Sequence, residues 1–159
     1  GMRCVSLRLT NTYGPRQHLN GNKQGFSGIF IRMAISGETI KIFGTGEQRR
    51  DFNYVDDVVD ALRMAAEHPE LKGQVYNLGA YKNYSLLDFV STLQQFCSFD
   101  YEVIPFPPEH QIIDIGDYYG EFAKFRNATG WEPKVDLANG LQRTIEYFEP
   151  RASLYWDSA

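Results

Sequence analysis

Apolar residues recur in several parts of this chain with the period of an amphipathic helix. The first such segment is bounded by a glycine that would stop the helix in a left-handed conformation, Gly37. One face of the predicted helix, at positions i, i+3, i+4, i+7 and i+8, consists of Phe26, Ile29, Phe30, Met33 and Ala34. The pattern therefore predicts a helix that packs on a core along one side.

A second helix is predicted to follow the letters "YVDD", where two acids are adjacent. Asp56 or Asp57 would cap its N-terminus, because the free backbone N–H groups there favour a carboxylate. The helix would end near His68 and Pro69, since proline disfavours helical backbone in the residue before it. Its predicted apolar face consists of Val55, Val59, Leu62 and Ala66.

Capping signals predict three more helices. Ser85, with Asp88 three residues later, resembles a capping box and precedes an apolar stripe. A helix over Glu121–Thr129 would be closed by Gly130, and Asp136 would cap the last helix of the chain.

Strands are predicted where short runs of β-branched and aromatic residues lie between turn signals. The first run, Cys4–Thr10, precedes a predicted loop of fifteen residues, "NTYGPRQHLNGNKQG", and loops of this length are usually functional or disordered. Four later strands are predicted in the runs "TIKIF", "RDFNYV", "QVYNLG" and "YEVIPF". Helices and strands alternate, so the pattern predicts a mixed α/β fold.

The composition weighs against several classes of protein. The chain has 159 residues, 43% of them hydrophobic, and a formal net charge of −4, which fits one ordinary domain and argues against nucleic-acid or membrane-surface binding. No apolar run approaches the ~18 residues of a membrane-spanning helix. Cys4 and Cys97 form no metal-ligand cluster, so we expect reduced thiols, no metal site and a cytoplasmic location.

The stretch "GTGEQRRDFNYVDD" places two arginines, Arg49 and Arg50, between a glycine turn and a predicted strand. Three interpretations are open for this pair. It could be a surface pair that neutralises nearby acidic residues, part of a nucleic-acid-binding patch, or an anion clamp whose rigid guanidinium matches phosphate oxygens. Basic residues do not cluster elsewhere in this acidic chain, which weighs against nucleic acid.

Four motifs, in order, give the chain a resemblance to a known family. They are "RLTNTYGPRQ", "IFGTGEQRRDFNYVDDVVDAL", "VYNLGAYKNYSLLDF" and "TGWEPKVDLANGLQRTIEYF". Together they resemble the C-terminal half of extended short-chain dehydrogenases, and more narrowly the NAD-dependent epimerase/dehydratase family that acts on nucleotide sugars. The resemblance implies an α/β fold with the last strands of a Rossmann-type sheet and a small mixed α/β substrate-binding domain.

The resemblance also implies a division of the chain. Residues 3–25 would form the end of the dinucleotide-binding domain and a substrate loop. Residues 26–150 would form mainly the sugar-nucleotide-binding domain, and residues 151–159 would be a C-terminal tail.

Five substrate-binding residues follow from the same resemblance. Asn11 matches the position that hydrogen-bonds the phosphate or the sugar of a nucleotide sugar, and Arg50 matches the arginine that grips the pyrophosphate. Gln17 and Phe26 fall where the family lines the nucleobase and diphosphate pocket. Tyr54 belongs to the "YV-x-D" element, whose aspartate is interpreted as a helix cap.

Two arginine positions depart from a simple match. Arg49 occupies a variable position of the family and is expected to face solvent. Many relatives carry a second pyrophosphate arginine near the C-terminus, but this chain has no arginine between Arg63 and Arg126. His110 or Gln111 would have to replace it.

Two elements of the family's redox chemistry are missing from this sequence. Gly44 and Gly46 lack a third glycine at the dinucleotide-binding spacing and precede a strand, and no tyrosine has a lysine four residues later. Both elements would lie upstream of Met2, so the chain is interpreted as a C-terminal fragment with no catalytic residues of its own. We expect NAD or NADP in the full-length parent and none bound to this fragment.

The implied substrate is a UDP-, GDP-, CDP- or dTDP-linked sugar, which the parent would convert through a 4-keto intermediate by epimerisation or dehydration. The alternative is a non-catalytic module that binds a nucleotide sugar or a protein partner. Without a dinucleotide domain the strand "CVSLRL" would be exposed, so we also expect a homo-oligomer or a domain-swapped dimer.

Overall fold

The computed structural model describes residues 4–19, 25–107 and 115–156. Its strands are β1 Ser6–Arg8, β2 Asn11–Tyr13, β3 Ile40–Phe43, β4 Arg49–Tyr54, β5 Val75–Asn77, β6 Asn83–Ser85 and β7 Tyr101–Ile104. Its α-helices are α1 Phe26–Ser36, α2 Val55–Glu67, α3 Leu86–Leu93, α4 Ala123–Thr129, α5 Leu137–Phe148 and α6 Ala152–Tyr155. Single 3₁₀ turns lie at Pro69–Leu71 and Glu149–Arg151.

The strands are distributed over three small sheets. Strands β1 and β5 are parallel, as are β3 and β7. Strand β4 lies in the middle of the third sheet, parallel to β2 and antiparallel to β6. Mostly parallel strands joined by helices confirm the predicted α/β class.

The predicted strand Cys4–Thr10 is wrong in its extent. Strand β1 stops at Arg8, and residues placed by the sequence in a loop form β2 beside β4. The reason is the side chain of Tyr13, which is only 1% exposed and packs edge-on against Tyr54 at 5.7 Å between ring centroids. Asn11 therefore lies within a strand, not just past the end of one.

Local capping chemistry predicts most helix ends correctly. Ser85 and Asp88 form the expected capping box at α3, and the Asp136 side chain accepts a hydrogen bond from the Asn139 N–H at 2.8 Å. Gly37 and Gly130 close α1 and α4 with φ of 69° and 74°. The fourth helix starts two residues later than predicted, at Ala123.

The predicted aspartate cap of α2 is wrong. Strand β4 runs directly into the helix, so the cap position falls on Tyr54 and no side chain caps the helix. Asp57 is instead buried, with 3% of its surface exposed, and its Oδ2 accepts hydrogen bonds from the backbone N–H groups of Lys134 (3.1 Å) and Val135 (3.0 Å). This aspartate holds the segment before α5 against α2.

The predicted apolar face of α2 is also wrong, except at Val55, which packs against the larger apolar cluster. The buried apolar residues are Val58, Ala61 and Ala65, whereas Val59 is 55% exposed and Leu62 is 51% exposed. The helix thus packs its smaller side chains inward and presents larger ones at the surface.

Buried apolar residues form two clusters. The larger one contains side chains of α1, α3 and α5 together with β2, β3 and β4, and Trp156 after α6 also packs in it. The smaller one joins α2, β5 and α4 around Trp131, whose Nε1 donates a hydrogen bond to the Asp57 carbonyl at 2.9 Å. Trp131 therefore anchors the packing of this cluster.

Two further observations concern the class of protein. Cys4 and Cys97 are free thiols, as expected. Among the residues that the structure describes, no helix is both long and apolar enough to cross a membrane.

Candidate functional site

Strand β4 carries the arginine pair and sorts its side chains onto two faces. Because successive side chains of a strand point in opposite directions, Arg50, Phe52 and Tyr54 share one face and Asp51 the other. The strand register places Asn11 opposite Phe52, and so on the same face as Arg50. This is the face that packs on the larger apolar cluster.

The Arg50 guanidinium is held by backbone carbonyl groups. Its side chain lies in a nearly buried position, with 9% exposed. Nη1 donates to the Arg49 carbonyl at 2.8 Å and to the Gly116 carbonyl. A guanidinium has five N–H donors in a fixed plane, so these contacts orient the group.

Arg49 does not face solvent as predicted. Its side chain is half-buried, and its Nε and Nη2 donate to the side-chain oxygen (2.5 Å) and the carbonyl (3.1 Å) of Asn83. The two arginines therefore take different partners: Arg49 fastens β4 to β6, and Arg50 contacts the segment that contains Gly116.

Asn11 is oriented by the neighbouring strand. Its Nδ2 donates to the Asp51 carbonyl at 3.0 Å, which fixes the amide plane on the Arg50 side of the sheet. The amide has a second N–H and a carbonyl oxygen, so it can still bind a phosphate or a hydroxyl group.

Phe26 and Tyr54 contribute mainly to packing. The Phe26 ring lies edge-on to Phe52, at 6.0 Å between centroids, and also contacts Phe89. Tyr54 is 1% exposed, and the Arg143 guanidinium lies over its ring at 4.4 Å. Burial raises the pKa of the Tyr54 hydroxyl, although the charge of Arg143 acts against that shift.

The surroundings of Gln17 differ from those of Asn11 and Arg50. It lines a cavity of about 390 Å³ with residues 12–16 and the start of α2, and neither Asn11 nor Arg50 lines that cavity. A methyl group added at Gly28 would lie 3.1 Å from the Gln17 amide nitrogen, so the loop packs tightly on α1. Residues 20–24 of this loop, and both His110 and Gln111, lie outside the described residues.

Sequence reasoning missed Asp51 as part of this site. The side chain is fully buried, and its Oδ2 accepts hydrogen bonds from the backbone N–H groups of Gly120 (3.0 Å) and Ala80 (3.2 Å). Burial raises the pKa of Asp51, and the hydrogen bonds from Gly120, Ala80 and the Thr10 hydroxyl oppose that rise. An acid between an arginine and an aromatic in a strand was the only signal in the sequence.

The glycine turn in the described residues is not suited to bind the pyrophosphate of a dinucleotide. Gly44 and Gly46 adopt positive φ, 78° and 75°, in the turn between β3 and β4. That turn leads into a strand, whereas pyrophosphate binding of this kind needs the N-terminus of a helix.

Comparisons with known proteins match this chain to one family. The model of the NAD dependent epimerase/dehydratase family matches residues 1–79, about half of the chain. Among curated proteins, the UDP-glucose 4-epimerase of Mycolicibacterium smegmatis is 33% identical over 152 residues, which are 94% of this chain and 46% of that protein. UDP-glucuronic acid decarboxylase 1 of Xenopus tropicalis is 36% identical over 93% of this chain and 34% of its own length.

A solved structure agrees with the fold. The crystal structure of UDP-glucose 4-epimerase from Thermotoga maritima with UDP-glucose superposes with a TM-score of 0.82 at 36% identity. The match covers 96% of this chain and 47% of that one. The chain thus spans about half the length, or less, of these relatives.

Proposed function

The chain belongs to the NAD-dependent epimerase/dehydratase family, and we propose that it is the part that binds the nucleotide sugar. The main support for this proposal is that Arg50 and Asn11 lie on one face of the adjacent strands β4 and β2. A guanidinium and an amide in that arrangement suit the two ends of a diphosphate linkage.

The ligand is proposed to be a UDP-linked sugar. Support comes from the Thermotoga maritima enzyme, which was solved with UDP-glucose and is 36% identical to this chain. Arg50 would neutralise the diphosphate, and Asn11 would donate to a phosphate or sugar oxygen. Phe26 and Tyr54 would shape the site through the aromatic core beneath it, and Gln17 would lie at its border.

The whole protein is proposed to act on the sugar with NAD or NADP, which would accept and return a hydride. The described residues offer no dinucleotide turn, so that cofactor would be bound elsewhere in the full-length enzyme. This chain would then contribute binding and orientation of the substrate and would not catalyse the reaction alone. The free thiols of Cys4 and Cys97 favour a reducing compartment such as the cytoplasm.

Self-association is proposed for the isolated chain. Within the described residues β1 pairs with β5 alone, and the outer side of β5 is covered by Lys124, whose amino group donates to the Val75 carbonyl at 3.0 Å. Val5, which precedes β1, lines a pocket together with Leu62 of α2, whose side chain is 51% exposed. An unpaired strand edge beside apolar side chains favours pairing with a second copy.

Steady-state kinetics of the full-length enzyme test the role of Arg50. We expect Arg50→Ala to raise the KM for a UDP-sugar ~10-fold or more, because a charge-assisted hydrogen bond is worth about 1.5–3 kcal/mol. Arg63→Ala is the control, since Arg63 is an exposed arginine of α2 paired with Glu67. Equal KM values for the two variants would contradict the proposal.

A further inference from the structure

A segment on the edge of β4 lies beside the arginine pair. We call residues 116–120 the strap. The Asp117 carboxylate accepts a hydrogen bond from the Arg49 N–H at 2.8 Å, and the Tyr118 N–H donates to the Arg49 carbonyl at 3.0 Å. Tyr118 also forms a parallel bridge with Arg50. The strap therefore extends the sheet along the arginine-bearing end of β4.

The far end of the strap is fastened by Asp51. Its buried carboxylate accepts the N–H of Gly120 at 3.0 Å and the N–H of Ala80 at 3.2 Å. These donors lie 69 and 29 residues from Asp51 in sequence, so one side chain joins three distant parts of the chain. A carboxylate is suited to this position because it can accept several N–H groups at once.

Two glycines allow the close approach that Asp51 completes. A methyl group added at Gly79 would lie 2.0 Å from the Gly120 carbonyl oxygen, and one added at Gly120 would lie 2.3 Å from the Leu78 carbonyl oxygen. Any larger residue at either position would push the strap away from the turn that contains Ala80. The strap is thus packed with no room for a side chain at the point where Asp51 binds it.

The near end of the strap contacts the guanidinium proposed to bind the diphosphate. The Gly116 carbonyl accepts a hydrogen bond from Arg50 Nη1. We propose that Asp51 is a positioning residue: it fixes the strap to β4, and the strap in turn fixes the guanidinium of Arg50. This inference rests on the proposed role of Arg50 in substrate binding. Asp51 is fully buried, so it acts through Arg50 and does not touch the ligand.

Three variants of the full chain separate positioning from general stability. Asp51→Ala removes the acceptor for both N–H groups, whereas Asp51→Asn retains one oxygen that can accept them. Asp57→Ala is the matched control, because Asp57 is also buried and its Oδ2 also accepts two backbone N–H groups, but from Lys134 and Val135. Only the Asp51 variants change the support of the strap.

Amide hydrogen exchange measures the strap without any ligand. We expect exchange at Gly120 and Ala80 to be ~10-fold or more faster in Asp51→Ala, with a smaller change in Asp51→Asn, because exchange follows local opening. Asp57→Ala should leave these two amides unchanged relative to the rest of the chain. Unchanged exchange in Asp51→Ala would overturn the inference.

Calorimetric titration with UDP then measures the effect on binding. We expect Asp51→Ala to weaken UDP affinity ~10-fold among folded molecules, Asp51→Asn to restore part of it, and Asp57→Ala to stay within about twofold. Equal weakening by Asp51→Ala and Asp57→Ala would overturn the positioning role. If the unaltered chain binds no UDP, the proposed function fails, and the inferred effect of Asp51 on ligand binding fails with it. The exchange measurement still decides whether Asp51 holds the strap.

Discussion

Arg50 and Asp51 are adjacent in the chain, yet folding gives them opposite faces of β4 and separate partners. Arg50 contacts backbone carbonyl groups at the edge of the sheet, and Asp51 accepts backbone N–H groups on the other face. Backbone groups thus compensate Arg50 Nη1 and Asp51 Oδ2, and burial of a charge is tolerated only with such compensation. The two residues are connected through the strap.

Burial of Asp51 predicts a pH dependence of stability. The pKa of Asp51 in the folded chain lies above its ordinary value of 3.8, mainly because of burial. The folded state therefore holds this proton more tightly than the unfolded state, and its contribution to the free energy of unfolding is full below pH 3.8. That contribution declines as the pH rises from there through the folded-state pKa.

Urea unfolding at a series of pH values checks this sign. The free energy of unfolding of the unaltered chain, minus that of Asp51→Asn, should fall as the pH rises from about 3.8. Asn has no titrating proton, so the difference isolates Asp51. A difference that increases with pH over this range would mean that the hydrogen bonds to the carboxylate outweigh the cost of its burial.

The sequence predicts Arg50 and Asn11 as binding residues because both lie in short motifs that resemble those of the family. It does not reveal Asp51, Gly116 or Gly120 as partners, since the hydrogen bonds of Asp51 join residues 29 and 69 positions apart. The burial of Arg49 against Asn83 is missed for the same reason. Contacts between distant segments depend on the packing of the whole chain, which no local pattern contains.

At the scale of elements, α2 shows where periodicity misleads. Its sequence has two apolar stripes that differ in size at one position: Val58, Ala61 and Ala65 form the smaller stripe, and Val59, Leu62 and Ala66 form the larger one. The larger stripe is the stronger hydrophobic signal, but the smaller one is buried because α2 lies close to β5 and Trp131. Capping motifs at α3 and α5 were predictable because their hydrogen bonds span three residues.

Adjacent valines in α2 offer a matched pair for stability. Val58→Ala should lower the free energy of unfolding by ~1.5–2 kcal/mol, since two buried methyl groups are lost at about 0.8 kcal/mol each. Val59→Ala removes the same atoms from a side chain that is 55% exposed, and should change stability by less than about 0.5 kcal/mol. Chemical denaturation measures the free energy of unfolding of both variants. A larger loss in Val59→Ala than in Val58→Ala would contradict the observed helix orientation.

At the scale of the whole molecule, the chain matches about half the length of its relatives, and within the described residues one edge of β1 and one face of α2 are uncovered. The Mycolicibacterium smegmatis enzyme is matched over 46% of its length. In the described residues, β1 has β5 as its single partner strand, and isolated two-stranded sheets are only marginally stable. These features together favour association of the isolated chain.

Light scattering after size-exclusion chromatography tests that association. We expect the unaltered chain to elute as a dimer or larger species at micromolar concentration, and Leu62→Asp to shift it towards the monomer by placing a charge on the α2 face. Leu154→Asp is the control, because Leu154 is 81% exposed and lies on α6 in another part of the molecule. A monomeric unaltered chain would contradict the proposal.

A crystal structure of this chain with UDP-glucose tests most directly whether Arg50 binds the diphosphate of a nucleotide sugar. We expect diphosphate oxygens within about 2.7–3.2 Å of the Arg50 guanidinium, with the Asn11 amide contacting the phosphate or the sugar. A diphosphate bound away from Arg50 and Asn11, with Arg50 still directed at the carbonyl groups of Arg49 and Gly116, would contradict this.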